Sequence, residues 1–110
     1  IFDEIDQGIG GRVGAIVGEK LRQLSKNHQV LCVTHLPQLA AYGSQHYHVY
    51  KHIQDGRTIT LVDELEGERR IHEMANMFGG DTLANQAAAQ EVLQNAQEYS
   101  EHLNTSNLAN

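Results

Sequence analysis

The feature that most constrains the fold of this chain is a pair of short apolar segments separated by one amphipathic segment. Ile1 and Phe2 precede an acidic pair, and residues 29–34 form a continuous run rich in β-branched side chains, which is typical of strands covered on both faces. Between them, apolar residues recur at helical spacing, namely Val13, Ile16, Val17, Leu21 and Leu24. Two strands joined by one helix predict an α/β fold with a parallel βαβ core.

The remainder of the chain predicts one hairpin and three further helices. A short helix is expected over residues 38–42, and strands over 45–52 and 57–62 flank a turn at 54–56. A second amphipathic helix ends at Gly79-Gly80, and a third runs from about 82 to 103 with Asp81 or Thr82 as its N-cap. The apolar residues that define these two helices are Ile71, Met74, Ala75 and Phe78, then Ala84, Ala88, Val92, Ala96, Tyr99 and Leu103.

Length and composition limit the classes of protein to consider. The 110 residues fit one domain, in which we expect 81–104 to be a terminal helix and 105–110 a disordered tail. A net charge of −6 argues against a general DNA-binding surface, and no apolar run is long enough to span a membrane. One cysteine, Cys32, excludes an internal disulfide and fits a cytoplasmic protein. The chain lacks an initiator Met, so we expect a fragment of a longer protein.

The acidic pair and one histidine form the strongest candidate site. Asp3 and Glu4 follow the first strand, and His35 follows the second. Ligands of open α/β sheets bind outside the carboxyl ends of the strands. One carboxylate is suited to hold Mg²⁺ while the other orients an attacking water, and His35 is placed to reach a phosphate oxygen. The pattern therefore indicates a Mg²⁺-nucleotide site of the phosphoryl-transfer kind.

The same residues carry a resemblance to a known family. Residues 1–6 (Ile-Phe-Asp-Glu-Ile-Asp) look like the Walker B motif of ATP-binding-cassette ATPases of the SMC type, and Val33-Thr34-His35 looks like their switch-histidine strand. The glycine loop at 8–11, residues 30–40 and residues 74–80 resemble more specifically the C-terminal end of a bacterial DNA repair ATPase of this type. The resemblance extends from Ile1 to about Gly80, and more loosely to about Ala96.

This resemblance implies a P-loop NTPase (ABC/SMC-type) head whose C-terminal part is supplied by residues 1–80. It implies that Asp3 helps to hold Mg²⁺, that Glu4 is the catalytic base or positions the water, and that His35 contacts the γ-phosphate. The implied cofactors are ATP and Mg²⁺. The implied partners are the N-terminal lobe of the same head, a second head in an ATP-dependent dimer, and DNA bound through other parts of a protein that acts in double-strand-break repair and recombination.

The glycine loop has its own implied role. The loop from Asp6 to Gly11, with Gly8 and Gly10, would occupy the position of the D-loop, which faces the second head, and its residues are expected near the nucleotide. SMC proteins usually place an Asp where this chain has Gly10, so the contact made by that Asp is not carried over to this chain.

Two motifs of the family do not occur in the sequence. The chain contains neither a Gly-x-x-x-x-Gly-Lys-[Ser/Thr] phosphate loop nor a Ser-Gly-Gly signature. A phosphate loop holds the β- and γ-phosphates through its backbone and its Lys. We therefore expect the chain alone neither to bind ATP tightly nor to hydrolyse it.

Other interpretations remain open at this stage. The chain fits another SMC-like or transporter-type ATPase, an autonomous Mg²⁺-dependent phosphohydrolase that uses Asp3, Glu4, Asp6 and His35, or a non-catalytic interaction module dominated by its terminal helix. The hairpin histidines at 46, 48 and 52 share one strand face, and we expect them to be solvated rather than to bind a metal. Cys32 is expected to be a small core residue rather than a nucleophile.

Overall fold

The computed structural model describes residues 1–3, 5 and 7–109, and the side chains of residues up to 104. Its elements, in chain order, are β1 (Phe2–Asp3), α1 (Gly11–Leu24), β2 (Cys32–Val33), α2 (Pro37–Ala40), β3 (His46–Gln54), β4 (Arg57–Leu65), α3 (Gly67–Met77) and α4 (Leu83–Ala109). In the described part of the chain, no helix combines the length and the apolar character that crossing a bilayer requires.

Strands β1 and β2 form the parallel pair that the sequence predicts. Phe2 lies opposite Cys32 and Asp3 opposite Val33. The expectation that both strands are covered on both faces is wrong for this chain, because the side chains of Leu31 and Val33 are 54% and 50% exposed. The reason is architectural: the described sheet has only these two strands, and the main core lies among the helices instead.

Helix α1 buries a face that differs from the one its apolar residues define. Gly14 and Gly18 are its buried residues, whereas Val13 and Ile16 are about half exposed. The cause is the packing of α2 and its flanking residues against the glycines, since a Cβ added at Gly14 would lie 2.9 Å from Cδ1 of Leu36. Glycines at this helix face therefore allow a close approach that larger side chains would block.

Helix α2 is short and is held at both ends. Pro37 occupies its first turn, where a missing N–H costs nothing, and the helix ends at Ala40, two residues before the predicted end. Arg70 of α3 donates hydrogen bonds from Nη2 to the carbonyl oxygens of Ala40 at 3.1 Å and Gly43 at 2.9 Å. A cation at a helix C-terminus also interacts favourably with the helix dipole, so Arg70 fixes α2 to α3.

The predicted hairpin is confirmed and is longer than expected. Strands β3 and β4 pair antiparallel from His46 opposite Leu65 to Gln54 opposite Arg57. The two turn residues, Asp55 and Gly56, have φ angles of 51° and 75°. Positive φ at both central residues is the geometry of a type I′ turn, which Asp-Gly favours and which matches the twist of the flanking strands.

The core lies between the end of α2 and helices α3 and α4. Met74 and Ala75 of α3 and Ala89 of α4 are fully buried, and Ala96 of α4 is nearly so. Partly buried residues surround this cluster: Tyr42, Ile71, Met77, Phe78, Val92 and Leu93. The amphipathic pattern of α3 is thus confirmed, and its helix ends before Gly79 and Gly80, which both have positive φ.

Helix α4 agrees with the sequence at its start and differs from it in extent. Thr82 is the N-cap, since its Oγ1 accepts a hydrogen bond from the N–H of Asn85 at 3.1 Å. Ala84, expected on the buried face, is exposed, and the first fully buried residue of α4 is Ala89. The helix continues to Ala109 through residues predicted to be a disordered tail, and neither Gly nor Pro occurs after Gly80 to end it.

Candidate functional site

The candidate site lies at the edge where β1 and β2 both end. The N–H of Phe2 donates a hydrogen bond to the carbonyl oxygen of Leu31 at 2.8 Å, and the parallel register sets Asp3 level with Val33. His35 follows two residues beyond Val33, and the side chains of Asp3 and His35 are both exposed. Parallel pairing of these two strands therefore brings Asp3 and the segment that carries His35 to one sheet edge.

Two predicted site residues, Glu4 and Asp6, lie outside the described residues. The glycines of the same loop are described. Gly8 has a φ of +77°, a conformation that side chains other than glycine rarely adopt. Gly10 is the extended N-cap of α1, and its carbonyl oxygen accepts a hydrogen bond from Gly14 at 2.9 Å. The glycine loop thus leads from the end of β1 directly into α1.

A hydrogen bond between a side chain and the backbone closes a turn at His35. The N–H of Leu36 donates a hydrogen bond to Oγ1 of Thr34 at 3.0 Å, which is the local pattern of a Ser/Thr turn. The next residue, Pro37, begins α2. His35 therefore lies in a defined turn between the end of β2 and the start of α2. This turn was not predicted from the sequence, although a Thr three residues before the start of α2 was a usable signal.

The glycines of α1 place the His35 segment against the glycine loop. We call Gly11, Gly14 and Gly18 the glycine face. A Cβ at Gly11 would lie 2.7 Å from Cδ of Gln38, so the Gln38 side chain covers the start of α1. Oε1 of Gln38 is buried and has no hydrogen-bond partner in the structure. Only Gly11 was predicted to matter, as part of the loop, although the helical spacing of all three glycines was a signal for this face.

The described residues fit part of a Mg²⁺-nucleotide site. Mg²⁺ in proteins is commonly held by one or two carboxylates, several waters and substrate phosphates, and Asp3 supplies one exposed carboxylate at the strand end. Among the described residues, no group of three or more His, Cys, Asp or Glu side chains comes together as a metal cluster. An exposed carboxylate at a strand end is chemically suited to be one such ligand of Mg²⁺.

Two of the three hairpin histidines, His46 and His48, differ from the expected solvated row, whereas His52 is exposed as expected. His46 is half-buried, and burial, with lesser effects from the charges of Arg70 and His48, lowers its pKa to about 4. His48 stacks on Tyr50 with ring centroids 5.2 Å apart, and its Nε2 lies 3.7 Å from Oε1 of Glu73. His46 is therefore neutral at pH 7 and belongs to the packing between the hairpin and α3. Cys32 is a half-buried thiol rather than a fully buried core residue.

Comparison with known proteins finds relatives among bacterial DNA repair proteins. The chain is 50% identical over 100 residues to the RecN protein of Xylella fastidiosa (strain 9a5c), 48% over 82 residues to that of Deinococcus radiodurans and 40% over 98 residues to that of Bacillus subtilis. These matches cover 89%, 74% and 87% of this chain. No protein-family model matches the chain.

The chain is homologous to a segment of RecN, and the resemblance to a bacterial DNA repair protein expected from its motifs is confirmed. It spans only 18%, 14% and 17% of the lengths of these three relatives. The similarity is that expected of a C-terminal RecN segment, and it extends across most of this chain.

Proposed function

We propose that this chain is part of an SMC-like ATPase head and supplies the acid pair and the switch histidine to a composite Mg-ATP site. In this proposal Asp3 helps to hold Mg²⁺, Glu4 acts as the catalytic base or positions the attacking water, and His35 contacts the γ-phosphate. The complete protein would couple ATP binding and hydrolysis to engagement of two heads during DNA double-strand-break repair and recombination, in the bacterial cytoplasm at the nucleoid.

The observation that carries the proposal is the parallel pairing of β1 with β2. This pairing sets Asp3 level with Val33, so that the carboxylate and the His35 segment leave the sheet at the same edge. Ligand sites of α/β proteins lie at such edges. The exposure of Asp3 and His35 leaves both side chains accessible to a bound nucleotide.

The exposed apolar residues beside the site support the proposal that another part of the same head packs against them. Leu31 and Val33 next to the site are half exposed, and Val13 and Ile16 of α1 are exposed to a similar extent. Burying apolar surface is favourable by roughly 25 cal/mol per Å², and the relatives are more than five times as long as the matched segment. We assign this apolar surface to contact with the N-terminal lobe of the head, which would also bring the phosphate loop.

The groups at this edge of the sheet would have different roles in ATP hydrolysis. Bound Mg²⁺ would neutralise charge on the phosphate oxygens. The Asp3 carboxylate would hold that ion, and the neighbouring Glu4 would accept a proton from the attacking water or hold it in line. An imidazole at His35 would donate a hydrogen bond to a phosphate oxygen. The loop from Asp6 to Gly11 would face the second head.

Substitution of Glu4 tests the catalytic assignment. In the complete ATPase we expect Glu4→Gln to preserve ATP binding and to slow hydrolysis by about a hundredfold or more, the scale of losing general-base assistance. Steady-state phosphate release and binding of a labelled ATP analogue measure the two quantities, with Glu64→Gln on the hairpin as the matched control. Unchanged turnover in Glu4→Gln would refute the assignment.

The chain on its own provides the complementary test. Because its sequence lacks a phosphate loop and a signature motif, we expect no Mg²⁺-dependent ATP hydrolysis by the purified 110-residue chain. Turnover that disappears in Glu4→Gln would instead support an autonomous phosphohydrolase. If the complete protein hydrolysed ATP normally with both Glu4 and His35 substituted, the chain would act as an interaction module.

A further inference from the structure

We propose that Thr34 is a positioning residue for His35, acting through its side-chain hydroxyl rather than by touching the nucleotide. This inference rests on the proposed function, since it assigns a second residue to the same site. It follows from how the backbone on either side of His35 is held, and from the hydrogen bond that links the two sides.

The backbone before His35 is fixed by the sheet. Val33 is paired with Asp3 in the parallel register, so the end of β2 has a set position relative to the carboxylate. The backbone after His35 is fixed by helix packing. Leu36 is the N-cap of α2, and its carbonyl oxygen accepts hydrogen bonds from Leu39 at 3.1 Å and Ala40 at 3.0 Å.

The side chain of Leu36 adds a second anchor on α1. Its Cδ1 would lie 2.9 Å from a Cβ at Gly14, so it occupies space that only a glycine leaves open. Gly14 in turn belongs to the first turn of α1, bonded to the carbonyl oxygen of Gly10 at 2.9 Å. The residue after His35 is therefore held against the helix that begins at the glycine loop.

The Thr34 hydroxyl joins these two fixed regions. It accepts the N–H of Leu36 at 3.0 Å and so closes a turn across the one residue between them, His35. Loss of this bond would remove one constraint on the turn at His35, so that the imidazole would shift relative to the Asp3 carboxylate even with β2 and α2 in place. Catalytic groups lose rate steeply when they are displaced, by as much as about a hundredfold for a shift near 1 Å. The hydroxyl thus sets the direction of the imidazole.

The test compares variants of Thr34 in the complete ATPase. Thr34→Val keeps the branched shape and removes the acceptor, so we expect kcat for ATP hydrolysis to fall by about tenfold with KM changed by less than about twofold. Thr34→Ala, which also lacks the hydroxyl, should lose as much, and Thr34→Ser should restore kcat to within about twofold of the original. Thr60→Val, an exposed position on the hairpin, is the matched control.

A double variant separates positioning from a general structural role. If Thr34 acts through His35, Thr34→Val should slow hydrolysis in the original protein and have no further effect in a His35→Ala background. An equal loss in both backgrounds, or failure of Thr34→Ser to restore kcat, would overturn the inference. Normal turnover of His35→Ala would instead refute the proposed function itself, whereas a slow His35→Ala with a normal Thr34→Val would refute only the role of Thr34.

Discussion

The helical core and the strand pair of this chain are packed to very different degrees. In the helical core, Met74 and Ala75 are completely buried and Ala89 is equally inaccessible. In the strand pair, Leu31 and Val33 keep about half of their surface in solvent. The helical core is thus completed by side chains of this chain, whereas the strand pair leaves apolar surface exposed to solvent.

This difference indicates which part of the chain depends on groups supplied by a partner. The candidate site lies at the strand pair, which is packed less tightly than the helical core, and the glycine face of α1 connects it to the better packed helices. A site at an incompletely covered edge suits a composite site, because the missing surface and the missing phosphate-binding groups would come from the same partner. Mutations in the helical core should therefore mainly lower stability, whereas mutations at the strand pair should mainly lower activity.

The largest stability effect is expected in the helical core. Met74→Ala removes a side chain that is 0% exposed, and such truncations cost about 2–5 kcal/mol through lost burial and the cavity left behind. Urea unfolding of the 110-residue chain, followed by circular dichroism, measures the change. Leu83→Ala is the matched control, since Leu83 is 83% exposed. Equal losses in the two variants would contradict the location of the core.

A smaller loss is expected where the glycine face meets Tyr42. A Cβ at Gly18 would lie 2.9 Å from Cγ of Tyr42, so Gly18→Ala must displace the ring and its edge-to-face contact with Tyr99, at 5.8 Å between centroids. We expect a net loss of about 1–2 kcal/mol, because overpacking costs more than the helix propensity gained by alanine. Thermal unfolding checks this. Gly10→Ala, where nothing lies within 4 Å, should cost less, about 0.5 kcal/mol, because alanine is a poorer N-cap than glycine.

Strand pairing, turns and helix ends were predicted from the sequence more accurately than the burial of side chains. The parallel pair, the Asp55-Gly56 turn and the end of α3 at Gly79 follow from local rules on strand ends, turn residues and glycine, and all are confirmed. The buried face of α1 was predicted from apolar spacing, whereas the structure buries Gly14 and Gly18. Which face of a helix is buried depends on the neighbour that approaches it, and periodicity within the helix does not contain that information.

The candidate site was predictable to a similar degree. The motifs placed Asp3 and His35 at one edge, and the strand register agrees with that placement. The contact of Gln38 with Gly11 was not foreseen, because it depends on how α2 packs on α1. The Thr34 turn was also missed, although its hydrogen bond joins residues only two apart in sequence. Roles of Glu4 and Asp6 remain predictions from the resemblance.

A pH effect is expected from the boundary between the hairpin and the helices. The pKa of His46 is lowered to about 4, below its ordinary value of 6.5, mainly by burial. Its contribution to stability is therefore complete above about pH 6.5 and is lost as the pH falls towards 4, because the unfolded chain binds a proton before the folded chain does. We expect a loss of at most about 2 kcal/mol, allowing for the exposed part of the ring.

Unfolding free energies measured between pH 7 and 4 check this effect. His46→Gln removes the titrating group and should flatten the pH dependence over that range. His102→Gln, at an exposed position of α4, should leave it unchanged. An identical pH dependence in the original chain and in His46→Gln would show that other groups, rather than His46, make the chain sensitive to acid.

The smallest effect is expected in the strand pair. Val33→Thr replaces a half-exposed methyl group with a hydroxyl of nearly the same shape, and substitutions at such surfaces change the unfolding free energy by about 0.5 kcal/mol or less. In the complete ATPase, where we assign this face to contact with the N-terminal lobe, the same hydroxyl would be buried at a cost of about 1–3 kcal/mol. Chemical unfolding of Val33→Thr in both proteins measures the two costs. An equally small cost in the complete protein would mean that the lobe does not cover Val33, and that the apolar surface beside the candidate site remains in solvent there as well.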